Sequence, residues 1–116
     1  MPTYTKQQFS GSTSGRPIQV ASTSSPGTTI HTVGATATSG IDECYIYASN
    51  LSAGNITLNL ELGSTATDSL VRVTIPSQDT VFCVPGIPLS ATTSIIKAYS
   101  TATSICNVYG FVNRAV

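Results

Sequence analysis

Tryptophan is missing from this chain and histidine occurs once. Charge is almost as scarce, with five basic and five acidic residues making up 9% of 116, against about 25% in an ordinary soluble domain. These shortages exclude several functions. The formal net charge is zero and no basic run occurs, so the electrostatic footprint of a nucleic-acid binder is lacking. One histidine cannot join Cys44, Cys83 and Cys106 into a convincing metal site, because the cysteines are widely spaced and form no Cys-x-x-Cys pair. No apolar run approaches the roughly eighteen residues of a membrane span. Residues 1–9 hold no apolar signal core, so synthesis in the cytoplasm with three reduced, mostly buried thiols is expected. A disulfide between two of them would require a later oxidising medium. No nucleophile elbow, phosphate-binding glycine loop or zinc motif is present, so neither an enzyme nor a cofactor is expected.

What is present is β-structure. Hydrophobic residues reach 41%, and Ser and Thr fill the space left by the missing charges. Thr suits a pleated, half-buried surface and Ser suits turns. The surface should be neutral and rich in hydroxyls. Residues 1–15 have few apolar side chains and end in Ser10-Gly-Ser-Thr-Ser-Gly15, which reads as an extended arm. Residues 16–116 then alternate strands and turns. Strands are expected at 17–21, 28–33, 44–48, 55–62, 70–75, 80–84, 94–99 and 105–112, with a small-residue loop through Gly40. The clearest is Asn55 to Leu62, where Ile56, Leu58, Leu60 and Leu62 alternate with polar residues. Pro85 and Pro88 exclude a central ladder position.

About eight short strands at this spacing predict an all-β fold, a single antiparallel β-sandwich of jelly-roll or immunoglobulin-like topology. The expected core is Ile56, Leu58, Leu60, Leu62, Val71, Val73, Ile75, Ile96, Ala98, Val108 and Val112. Strand count does not choose the topology, although the immunoglobulin core Trp is absent.

Few residues offer chemistry. His31 lies far in sequence from any acid and reads as a surface or interface histidine. Asp42 and Glu43 are adjacent, so on a strand they face opposite ways and look like its solvated entry. Glu61 and Asp79 read as isolated. Asn50-Leu-Ser and Asn55-Ile-Thr match the glycosylation pattern only formally. Tyr45, Tyr47, Tyr99 and Tyr109 fill a sandwich edge or an interface, or else form an exposed row that stacks on sugars. The residues expected to make protein contacts are Tyr4 and Phe9 of the arm, Arg16, and Tyr109 with Phe111 at a strand edge.

The body of the chain resembles the small β-rich virion proteins encoded beside the capsid genes of tailed bacteriophages. The resemblance rests on Gly-Arg-Pro-Ile at 15–18, Pro-Gly-Thr before Ile-His-Thr at 26–32, and the Glu-x-Tyr-Ile-Tyr-Ala strand at 43–48. Val-Thr-Ile-Pro at 73–76, Val-Pro-Gly-Ile-Pro-Leu at 84–89 and Gly-Phe-Val-Asn-Arg at 110–114 complete it. It implies a capsid decoration, or cement, protein that binds major capsid protein on the outer surface of the virion, often as a homo-oligomer, with a trimer favoured. A tail or head–tail connector part, and a carbohydrate-binding module for host attachment, are the alternative expectations.

Overall fold

The computed structural model describes residues 3–34, 40–90 and 94–115. The loop expected through Gly40 falls largely outside the described residues. Nine strands are found among them: β1 (Tyr4–Gln7), β2 (Ile18–Gln19), β3 (Thr28–Thr32), β4 (Ile41–Asn50), β5 (Ile56–Leu62), β6 (Leu70–Ile75), β7 (Thr80–Leu89), β8 (Ile95–Ser100) and β9 (Cys106–Ala115). One 3-10 turn, Thr67–Ser69, precedes β6.

All pairings are antiparallel and build two sheets. One runs β1–β9–β4–β7, with β2 also on β9; the other runs β3–β8–β5–β6. The chain goes out through β2 to β5 and returns through β6 to β9. Each outgoing strand pairs with its counterpart on the way back: β2 with β9, β3 with β8, β4 with β7 and β5 with β6. A long hairpin rolled up in this way is a jelly roll, which decides the topology left open by strand count.

Period-two alternation sets the two faces. In β4, residues 42, 44, 46, 48 and 50 are buried while 41, 43, 45, 47 and 49 are half-exposed. The core contains Ile46, Ile56, Leu58, Leu60, Leu62, Ile75, Ile96, Ala98, Val108 and Val112. Val71 and Val73 face inward with Ile75 but lie on an edge strand, so Val73 is half-buried and Val71 exposed. Phe9, Val20, Ile30 and Cys44 join the core in addition to the expected residues.

Three boundaries differ from expectation. β7 does not stop at Pro85-Gly-Ile-Pro88 but continues to Leu89. It is an edge strand, where proline is tolerated because the side lacking an N–H can be turned to solvent. Two register shifts against β4 absorb the irregularity. β4 is longer than residues 44–48, and β2 is reduced to two residues. The expected arm is part of the sandwich: β1 adds an edge strand to β9, from Tyr4 opposite Ala115 to Gln7 opposite Val112.

Candidate functional site

The chain's scarce charges come together inside the fold. A β-bulge between Thr29 and His31 makes two successive residues, Ile30 and His31, face inward. His31 is 1% exposed and Asp42 fully buried. His31 Nε2 lies 2.8 Å from Asp42 Oδ2. Its Nδ1 accepts the Ser10 backbone N–H at 3.0 Å, so the neutral ring carries its proton on Nε2 and donates it to Asp42. Arg114, directly opposite Asp42 on β9, donates from Nε to Oδ1 at 2.8 Å and from Nη2 to Oδ2 at 3.1 Å. The Gly34 N–H adds a fourth bond at 2.9 Å. A Cβ at Gly34 would press on the Arg114 guanidinium, which would have to shift from its place on Asp42 to admit it.

Burial by itself would raise the Asp42 carboxyl. The hydrogen bonds from Arg114, Gly34 and His31, with the Arg114 charge, outweigh it and hold the group down at about 2. Asp42 is therefore an ionised hub joining β3, β4, β9 and, through His31, the N-terminal segment. Its expected place at a solvated strand entry is corrected: the alternation with Glu43 holds, but the face carrying Asp42 is the buried one. His31 is likewise an interior residue, re-aimed by the bulge. Both ring nitrogens are engaged, so the His31–Asp42 pair offers no open position to a substrate proton.

Glu61 is also buried. It lies on the outer side of β5, where the Ser25–Gly27 turn covers it. Ser25 Oγ donates to Oε2 at 2.5 Å and the Gly27 N–H to Oε1 at 2.8 Å. Asn50, at the end of β4, donates to the carbonyls of Gly54, Ile75 and Pro76 and accepts from Ser52. Among the described residues no buried side-chain nitrogen or oxygen lacks a partner.

The outer face of the β1–β9–β4–β7 sheet carries an aromatic ladder. Tyr47 stacks on Phe82 at 4.4 Å between centroids and on Tyr109 at 5.2 Å. Tyr45 stacks on Phe111 at 4.8 Å, and Lys6 Nζ sits 4.7 Å from the Phe111 ring centre. Tyr45 also donates its hydroxyl to Glu43, which raises the phenol above its ordinary value. The cross-strand register creates the ladder: Tyr45 opposes Phe111, and Tyr47 opposes both Tyr109 and Phe82. Tyr99 lies on β8 in the other sheet and is no part of it.

Of the residues expected to make contacts, Tyr109 and Phe111 therefore sit together on this face. Tyr4, 70% exposed, lies at the free end of β1, and Arg16 is exposed in the turn before β2. Phe9 is separated from them: at 2% exposure its ring is a core side chain. Gly110 makes room for it, with the edge of the Phe9 ring close to where a Cβ would stand.

The three thiols are free. Burial pushes Cys44 and Cys106 up to about 12 and Cys83 to about 11, far from a reactive thiolate. No group of three potential metal ligands occurs among the described residues. An open depression of about 310 Å³ is lined by Gly63, Ser64, Thr65, Ile95 and Lys97, a set with one titratable group. No protein-family model, curated protein or solved structure matches this chain.

Proposed function

We propose that this chain is a structural virion protein that decorates the outer surface of a tailed-phage capsid and stabilises it by bridging major capsid protein subunits. The observation that carries the reading is the internal commitment of its chemistry. Asp42, His31, Arg114, Glu61 and Asn50 each hold strands or turns together, and none is presented to a ligand. A molecule so arranged resists deformation and works through shape and contact area. The jelly roll recurs in viral capsid and lectin domains, which agrees with the reading without establishing it.

The aromatic ladder bears on the sugar-binding alternative. Stacking on a sugar needs an open ring face. Tyr47 has both faces covered, by Phe82 and Tyr109, and Phe111 is covered by Tyr45 and Lys6. These two rings are better suited to stiffening the sheet than to stacking on a sugar, and Phe82, on the edge strand, is the exposed ring of the ladder. Individually weak contacts suffice for decoration, because attachment at several points on a shell multiplies their effect.

Imaging virions with and without this protein tests the reading. Surface density missing from the deficient shells, and earlier rupture on heating or in low salt, are expected. Identical shells with identical survival would refute it, and missing density in the tail would move the protein to the connector or tail.

A further inference from the structure

We propose that residues 4–11 form an exchangeable strand, which leaves its own sandwich and fills the same groove in a second copy of this chain. The segment is separable. β1 is outermost in its sheet, and three of its four residues are exposed. Its attachment includes the ladder to Val112–Ala115, Lys6 over the Phe111 ring, the Phe9 ring beside Gly110 and His31, and three hydrogen bonds between residues 10 and 11 and β3. Those three are Ser10 N–H to His31 Nδ1, Thr32 N–H to Ser10 Oγ at 2.7 Å, and Gly11 N–H to the Ile30 carbonyl at 2.9 Å. Every contact is specific to the segment, so an identical segment from another copy reproduces all of them. No complementarity has to be invented: the groove is already filled by its proposed occupant.

The connection behaves as a hinge. Ser12 to Pro17 buries no side chain completely. It turns back through two successive left-handed residues, Ser14 at φ +56° and Gly15 at φ +78°. Left-handed backbone is unfavourable for Ser and free for Gly, so the closed turn carries a cost that an extended linker removes. Opened out, these six residues span roughly 20 Å. That is close to the 21 Å shortest extent of the molecule, so a neighbour lying alongside in that direction is within reach. The closed form prevails in dilute solution by effective concentration, and exchange grows where copies are crowded side by side. The inference concerns two copies of this chain and does not depend on what surface they decorate.

The test mixes two full-length variants, Lys6→Cys and Asn113→Cys, whose positions pair directly in the β1–β9 ladder. Crossing of the segment sets Cys at 6 of one chain against Cys at 113 of the other; pairing Lys6→Cys with Thr65→Cys, an exposed position off the ladder, gives the collisional background above which the 6–113 link counts. After incubation at about millimolar concentration, dilution and oxidation, this mixed dimer is expected on a non-reducing gel, with the 6–113 link identified by peptide mass. Its yield should rise with incubation concentration and fall about fivefold when Ser14→Gly is added to both chains. Absence of the mixed dimer at every concentration would overturn the exchange. An unchanged yield with Ser14→Gly would overturn the hinge as its driving force. Deleting residues 12–14 shortens the connection from six residues to three and so disfavours the closed turn, which gives a second measurement. Light scattering should then find an oligomer at micromolar concentration, and a monomer would overturn the proposal.

Discussion

Asp42 keeps its charge without exposure because four donors replace the water it has lost. Its carboxyl is depressed from 3.8 to about 2, so the folded protein takes up this proton less readily than the unfolded chain. The stabilisation is complete above about pH 4 and is lost as pH falls through 2, amounting to about 2 kcal/mol. Urea titrations at pH 2.5 and pH 6 should show about two-thirds of that loss in the wild type and a much flatter response in Asp42→Asn. At pH 6 the variant should be less stable by about 3 kcal/mol, since Arg114 is left without its counter-charge. Gly110 makes a second residue-scale case. Its φ is +154°, and a Cβ there would run into the Tyr45 carbonyl on β4. Gly110→Ala should cost about 3 kcal/mol in urea unfolding. Gly54→Ala, with nothing near its Cβ position, should stay within about 0.5 kcal/mol.

At the level of elements, legibility depended on how local the cause was. β5 was readable because its alternation from Ile56 to Leu62 lies in consecutive residues. β3 was only half readable: the strand is evident, but the bulge that turns His31 inward is a matter of register against β8. The N-terminal segment is legible in sequence only as an extended arm, for a related reason. Its one buried ring, Phe9, fills space made by Gly110, far along the chain on β9. Phe9→Ala should therefore destabilise the isolated protein by about 3–5 kcal/mol, whereas Tyr4→Ala should change it by less than about 0.5. Thermal or urea unfolding of the two variants measures the contrast. Equal effects would contradict the core position of Phe9. Truncating the whole segment should consequently lower the melting temperature as well as weaken any assembly.

For the whole molecule, the rolled hairpin places the most distant strands together, with Ile18 opposite Val108 and Tyr4 opposite Ala115. Such pairings close long loops before they are rewarded, so folding should take milliseconds to seconds. Stopped-flow tyrosine fluorescence measures this, and microsecond folding would contradict it. The candidate surface is also a product of this scale. The residues of the ladder come from four strands, β1, β4, β7 and β9, and Phe82 and Lys6 gave no sign of belonging with the tyrosines.

The sequence by itself determined the class. Alternation, turn residues and the shortage of charge made an antiparallel sandwich, since each of those signals acts over a few neighbouring residues. Tertiary structure alone decided where the few charges went. Arg114 reaches Asp42 across 72 positions because β9 lies beside β4, and no local pattern records that neighbourhood. The charges that had looked too scarce to matter are the ones that fasten the two sheets and the N-terminal strand together.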